Sequence, residues 1–527
     1  MRYLKYVMLF AMTLYAADVC SQSRIKADLV QIAHGAFSKN PNIIRSSYAV
    51  RSVTSDLQIQ RSVFDLNSFS ELLFRTDQHS LLEADPRRSY LENDHLKTNV
   101  FNFSAGVRKK VRTGQIAELG VNYGFTNNNY PFNNFNQPVN TYLGNHASVL
   151  NFSLIQPLAR GRGRNVATAL ERSYVLYVEN AKSSNEYVNS YELWQIGTAY
   201  WNYYTAYKSL DIYRQSEARI RSVLSVTKDL VEGDKKPAGD LIQIKADLAS
   251  QERLTIAAER ELYAAKMQLG KVAGLSSEES QLLDIPANDY PTVTQSLYKK
   301  GIDQADFIRI AKEERADLRA AKQGNDALRQ QYQLAENNVK PQLDLTGFFS
   351  YGSVSTGNGA NDMLSSFTNS LGKTIGTGAK LTFTFPVSNN LAKGNLLKSY
   401  VTLNDQGVIL NNIERTIALE VSNDVNFLNN SVSNLEKAEE ITNYNQEVFN
   451  NEQLKFKSGL TTLLSLILFQ ERLTSAQLSH LQAYRQFAAA IINLRHDTGT
   501  LIDADTKGFT IDQQAFYTIP EISNTKR

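Results

Sequence analysis

KFKSGLTTLLSLILFQERLTSAQ, residues 455–477, is the stretch on which the fold turns. Gly459 punctuates two helix-periodic segments, so the chain reverses there and a second helix returns along the first. LVEGDKKPAGDLIQIKADL, residues 230–248, has the same make-up. A shift of 225 places Leu241 on Leu466, Leu248 on Leu473, Leu262 on Phe487, Leu269 on Leu494 and Gly274 on Gly499. Upstream the shift becomes 226, with Leu170 on Leu396, Tyr174 on Tyr400 and Gly233 on Gly459. Further upstream, Asp28, Ile32 and Ala33 match Asp306, Ile310 and Ala311. One architecture is used twice.

Working outward from the two turns, very long helices precede them. Residues 166–232 and 395–458 contain one glycine each, Gly197 and Gly407, and no proline occurs from Leu158 to Lys236 or from Val387 to Ile519. At 1.5 Å per residue these runs reach roughly 100 and 96 Å. The first carries Ile196, Ala199, Tyr203, Ala206, Leu210, Tyr213, Ile220, Leu224 and Val231, largely at spacings of three and four, a coiled-coil period. The returning helices, 240–273 and 465–498, carry alanine-rich seams such as Ala476, Ala483, Phe487, Ala490 and Leu494. Small seam residues let helices approach closely.

Before each long helix the period changes from helical to two. Leu150, Phe152 and Leu154 alternate with Asn151 and Ser153, and Leu381, Phe383 and Phe385 alternate with Lys380, Thr382 and Thr384. Leu343, Leu345, Phe349 and Tyr351 do the same. Strands with one apolar face are the consequence, at about 64–155 and 343–386. The first copy holds an extra hairpin, Phe101 to Phe125 around Thr113-Gly114, with no counterpart in the second. Thr126 to Tyr142 follows with seven asparagines and reads as an exposed loop. An amphipathic stretch opens each copy, Ile25 to Ser62 and Ile302 to Val339. The domain reading is a signal peptide at 1–21, a first repeat at 22–300, a second at 301–502 and a tail at 503–527.

Arg2 and Lys5 precede an apolar stretch, Tyr6 to Ala17, that is too short to span a bilayer and reads as an export signal. Cys20 is the single cysteine, so no internal disulfide forms. Two outcomes are open: cleavage after Ser21, favoured by the poor lipidation context of Asp18-Val19, or lipidation at Cys20. In 527 residues the hydrophobic share of 42% and mean hydropathy of −0.35 exclude a polytopic helical membrane protein. Charged residues at only 21% exclude wholesale disorder, and a net charge of +3 is too balanced for nucleic acid as the main partner. No soluble core accommodates helices of this length. In an exported chain without a long apolar helix, the alternating strands are the only membrane-spanning elements, and several chains must combine to close their sheet.

These residues resemble the TolC family of outer-membrane efflux and secretion channels. SLIQPLARGRGRN (153–165) is similar to that family's strand-to-helix junction, the two turn stretches to its helix tips, and AIINLRHDTGTL (490–501) to its closing helix. The resemblance implies a mainly α fold with a membrane β-barrel: a trimeric α-helical barrel joined to a 12-stranded β-barrel, four strands per chain. It further implies an outer-membrane location with a long periplasmic extension. The implied partners are outer-membrane lipid, two further copies of the chain, a periplasmic adaptor and an inner-membrane transporter. The tip residues for adaptor docking are then Gly233, Asp240, Gly459 and Thr462. Where the family's best-known members carry an Asp-x-x-Asp pair at the entrance, this chain has Ser465 and Leu468, and Asp240 is the remaining acidic residue there. The extra hairpin leaves the strand count per chain open. An exported coiled-coil structural or adhesive protein is the other reading, but it has no need of lipid-facing alternation.

Enzymatic chemistry finds no support. Gly161 and Gly163 open like a dinucleotide fingerprint, yet Val166 occupies the third small position and the preceding strand alternates instead of being apolar throughout. Arg160, Arg162 and Arg164 suit lipid headgroups or neighbouring chains at a barrel rim. The six histidines (34, 79, 95, 146, 480, 496) form no i, i+4 pair, so neither a metal site nor a cofactor is expected. His480 falls on a seam and reads as an interface histidine, and Asp240 reads equally as a helix N-cap.

Overall fold

A computed structural model describes residues 24–91, 93–129, 144–293, 303–368, 373–505, 508–511 and 513–520. The export signal and Cys20 lie outside them, as do most of the asparagine-rich segment and parts of the tail. The chain forms two compact units, one from Met1–Arg51, Glu179–Lys322 and Val408–Arg527, the other from Ser52–Val178 and Gln323–Gly407.

The second unit is built on a six-stranded antiparallel sheet. In chain order its strands are β2 (Leu66–Ser80), β3 (His95–Lys110), β4 (Ile116–Asn128), β5 (Asn145–Pro157), β7 (Gln342–Thr356) and β8 (Lys373–Thr384), and that is also their spatial order. The register runs without a shift from β2 to β8. Cross-strand partners share a face. One row therefore reads Ser70, Ala105, Val121, Leu150, Tyr351, Ile375, and the next Ser68, Val107, Leu119, Phe152, Phe349, Thr377. The opposite face reads Phe69, Gly106, Gly120, Asn151, Ser350, Gly376, then Asn67, Arg108, Glu118, Ser153, Phe348, Gly378. One face is apolar, and Leu119, Leu150, Phe152, Phe349 and Ile375 stand exposed on it. The other is polar and glycine-rich, its two phenylalanines lying over Gly106 and Gly378.

The extra hairpin is thus β3–β4 and sits in the middle of the sheet, which corrects four strands per chain to six. A further strand, β2, carries too irregular an alternation to stand out in the sequence. Gly114 (φ +97) turns the hairpin, and a Cβ there would meet the Gly161 carbonyl oxygen at 2.5 Å. Next to the turn, Arg112 donates through Nε and Nη2 to both Glu171 carboxylate oxygens at 2.8 Å. A short helix, Ala360–Thr368, lies on the apolar face, where Ser366 bonds Ser148 and Phe367 stacks on Tyr123. The glycines 161 and 163 follow an antiparallel strand, not the parallel strand of a nucleotide fold.

In the first unit, β1 (Ile25–Ala27) pairs in parallel with β6 (Leu283–Pro286). Counted over both units, the first copy contributes α1 (Leu29–Lys39), α2 (Pro41–Ser62), the short α3 (Arg164–Ala167), α4 (Ala169–Glu232), α5 (Ala238–Ala273) and α6 (Ser277–Gln281). The second contributes α7 (Gln304–Glu314), α8 (Ala316–Asn338), the Ala360–Thr368 helix as α9, α10 (Asn390–Lys457) and α11 (Leu463–Asp497). Both α2 and α8 continue into the second unit, as do α4 and α10. The long helices α4 and α10 have 64 and 68 residues. Seam residues Ile196, Ala199, Tyr203, Ala206, Leu210 and Ile220 are buried, as are Leu466, Leu473, Ala483, Phe487, Ala490 and Leu494. Gly197 has a packing reason: a Cβ there would sit 2.8 Å from Ile492 Cδ1.

The amphipathic openings are each broken in two, and the breaks correct the repeat register. Asp28 and Asp303 cap α1 and α7, and the helices end at Asn40 and Arg315. Asp28 thus corresponds to Asp303, not Asp306, and Ala36 to Ala311, both fully buried. Capping geometry decides this, because aspartate three residues off leaves a similar letter pattern. Each break is met by the glycine that ends the returning helix. Gly274 (φ +77) abuts Lys39–Asn40, and Gly499 (φ +73) abuts Glu314–Arg315.

Candidate functional site at the paired helix turns

The two turns are built alike. Lys457 ends α10, Gly459 takes a left-handed φ of +73°, and Leu460 N–H donates back to the Lys455 carbonyl at 2.9 Å. In the first copy Asp234 takes the left-handed φ of 54° and Lys235 N–H donates to the Leu230 carbonyl at 2.9 Å. Both are the six-to-one closure of a helix C-terminus. Gly459 therefore corresponds to Asp234 and not to Gly233, so the shift of 225 holds through the turn. Aspartate tolerates this conformation because its short polar side chain bonds locally.

The returning helices begin differently. Thr462 caps α11, its hydroxyl accepting from Ser465 N–H at 3.2 Å and lying 2.9 Å from the Ser465 hydroxyl. Pro237 precedes α5 with no side-chain cap, and Asp240 lies within the first helical turn. Asp240 is thus not the N-cap; a carboxylate there opposes the positive end of the helix dipole. Asp240 and Ser465 occupy equivalent positions in the two copies. Leu468 stands exposed on α11, 43% accessible.

Lys236 brings the turns together. Its ammonium donates to the Thr461 carbonyl at 2.8 Å and sits 5.4 Å from the Phe456 ring centre. Thr461 in turn bonds Glu452 through its hydroxyl. Beneath lies a cluster of Ile220, Val223, Ile244, Phe449, Phe456, Leu463, Leu466 and Leu473. Behind it a buried polar layer joins α4 to α11: Gln470 donates to the Ser216 hydroxyl at 2.9 Å, Thr474 to the same oxygen at 3.1 Å, and Arg219 to Gln470 at 3.1 Å. No sequence pattern marks Lys236 or this layer, because their partners lie 225 and 254 residues away.

A second polar cluster surrounds Arg315, also unsignalled by any motif. Its guanidinium bonds Asp317 and Glu420 at 2.8 Å each and lies 3.9 Å from Asp497. Burial opposes the charge, but those carboxylates outweigh it and raise the Arg315 pKa. Burial, and then the Asp497 carboxyl beside it, push Asp424 up to about 9. Burial also raises Asp497. His496, packed among Tyr187, Tyr191 and Trp194, is lowered by burial, and then by Arg315, to about 4. The His480 ring lies tilted against Tyr484, ring centres 4.8 Å apart, and burial lowers its pKa. No cluster among the described residues has the composition of a metal site.

With the geometry in hand, the chain can be set beside known proteins. The outer membrane efflux protein family model matches residues 307–500, most of the second copy with its turn. This part of the chain is similar to the outer membrane efflux proteins. The fold of the whole chain agrees with that similarity. The outer-membrane channel OprN, 14% identical, superposes with a TM-score of 0.64 over 91% of this chain and 94% of that one. The outer membrane protein VceC of Vibrio cholerae, 13% identical, gives 0.62 over 89% and 96%. The open state of the MtrE outer membrane channel of Neisseria gonorrhoeae, 13% identical, gives 0.59 over 89% and 88%. These likenesses establish the fold. No curated protein matches in sequence. Among the described residues no helix is long and apolar enough to cross a membrane.

Proposed function

We propose that the protein is a trimeric outer-membrane channel, the passive exit duct of a tripartite efflux or type I secretion system. The observation that carries this reading is the six-stranded sheet. One face is apolar and exposed, the other polar, and neither outer edge is paired among the described residues. In lipid such a sheet is stable only when closed, because each unpaired backbone group in hydrocarbon costs several kcal/mol. Strands of 12 to 16 residues exceed the roughly 10 that a tilted strand needs to span a bilayer. A structural or adhesive coiled coil has no use for them.

On this reading the paired turns, 232–240 and 458–465, form the periplasmic tip where an adaptor docks, and an inner-membrane transporter supplies the cargo. Gly233, Gly459 and Thr462 shape that tip. Asp240, Ser465 and Leu468 line the entrance, which closes by leucine packing and dewetting instead of a carboxylate ring. Native mass spectrometry of the detergent-extracted protein, paired with an export assay in a strain lacking the gene, tests the reading. A trimer whose loss raises sensitivity to exported compounds is expected. A monomer soluble without detergent refutes it.

A further inference from the structure

The inserted hairpin changes the arithmetic of the barrel. Each chain supplies six consecutive strands, and the sheet ends at β2 on one side and β8 on the other. Six strands are too few to close alone, since membrane barrels start at eight. Both edge strands are long, 15 and 12 residues, unbulged and free of proline. Neither a bulge nor a proline blunts them against pairing, which for a solitary chain is an aggregation hazard. In an up-and-down sheet of six the first and last strands run in opposite directions. The β2 of one copy therefore meets the β8 of another antiparallel, head to tail, and a head-to-tail contact with the right rotation closes a ring.

We propose that the barrel contains eighteen strands, six from each of three chains, sealed by antiparallel pairing of β2 with β8 of the neighbouring copy. This rests on the trimeric duct proposed above. The β3–β4 hairpin lies in the barrel wall, for its side chains continue both faces. Val107, Leu119 and Val121 extend the apolar rows, and Gly106, Arg108, Glu118 and Gly120 extend the polar ones. Inserting two strands preserves the up-down alternation, so β2 keeps the direction it would have beside β5. Diameter grows nearly linearly with strand number, so eighteen strands make a barrel about 1.5 times as wide as twelve. The polar face suits a wide aqueous lumen, since its glycines, serines and asparagines do not fill one.

Electron cryo-microscopy of the detergent-extracted assembly counts the strands directly, and native mass spectrometry counts the chains. Cysteine pairs test the seam in a Cys20→Ser background: Glu71→Cys or Leu73→Cys combined with Thr374→Cys, Lys380→Cys or Thr382→Cys, all on the polar face. The expected results are three chains and eighteen strands. In at least one register, oxidation should shift most of the protein to covalent dimer and trimer bands, while single-cysteine controls stay monomeric on a denaturing gel. A trimer with twelve strands, its hairpin folded out of the wall, overturns this proposal and leaves the duct reading intact. Two chains closing twelve strands overturn the count of eighteen. A monomer overturns the duct reading itself.

Discussion

Arg315 shows how a single side chain marks the equivalence of the two copies. It ends α7 as Asn40 ends α1, and both are buried against a long helix: Asn40 donates to Glu192 at 2.8 Å, Arg315 to Glu420. The second copy has replaced an amide by a cation, and burial raises Asp424 and Asp497 even though Arg315 opposes the rise. Two opposed pH effects follow by linkage. His496, lowered to about 4, binds a proton in the unfolded chain that it refuses when folded, so it adds stability as pH rises from about 4 to 6.5. Asp424, raised to about 9, keeps a proton that the unfolded chain releases, so its contribution is lost as pH rises from about 4 to 9. Asp497 is raised too and acts in the same direction. Between about pH 4 and 6.5 the His496 gain opposes the aspartate losses, and above 6.5 only the losses remain, so thermal stability should fall more steeply above pH 6.5 than just below it. His496→Asn should extend the fall down to about pH 4, and Asp424→Asn should weaken it throughout. Parallel profiles for all three proteins would contradict the assignment. The proposed entrance invites a test on the same scale. Neither Ser465 nor Leu468 carries charge, so divalent cations added on the tip side of a planar bilayer should block single-channel current only weakly. Replacing both by aspartate should create a sensitive block, with about six carboxylates crowded in a trimer. Strong block of the unmodified channel would point to Asp240.

At the scale of elements, helix ends do most of the specifying. Gly459 and Gly274 are both left-handed glycines, yet their surroundings differ. No atom lies within 4 Å of a Cβ built on Gly459, whereas one on Gly274 would stand 2.5 Å from the Lys39 carbonyl oxygen. Gly459→Ile thus meets only backbone strain of about 1–2 kcal/mol, confined to the tip. Outer-membrane assembly should be normal in this variant and export lost, as read by the level of folded oligomer and by compound sensitivity; normal export at normal levels would displace adaptor docking from this turn. Gly274→Ala adds a backbone clash to the same strain. It should lower the thermal midpoint well beyond the Gly459 variant while leaving the tip unchanged.

For the whole molecule, exposure is the informative quantity. Besides the apolar sheet face, Ile242, Ile256, Tyr263, Leu419, Ile441, Tyr444 and Leu454 lie at least half exposed on the long helices. Apolar residues recurring on helices of this length call for neighbours, and neighbouring copies of the chain would cover them. Dissociation of the assembly should accordingly expose helix and sheet together. Analytical ultracentrifugation across a denaturant series should show trimer passing to unfolded monomer without a folded monomer between; a stable folded monomer would count against shared closure.

The sequence alone determined the duplication, the long helices, the reversals at the two turns and the alternating strands. All of these are local periodicities or short-range breaks, legible one element at a time. It also placed Gly459 at a helix boundary, whereas the capping role of Thr462 came from the structure. What only the tertiary structure decided depends on partners far apart in the chain. The hairpin joined the sheet because β4 found β5 and β3 found β2, and alternation says which face is apolar but never which strand is next door. The repeat register at Asp303 and Asp234 came from cap geometry, which letter matching misplaces by one to three residues. The buried set of Arg315, Asp424, His496 and Asp497 has no motif, for it is assembled from three helices whose common neighbourhood exists only after folding.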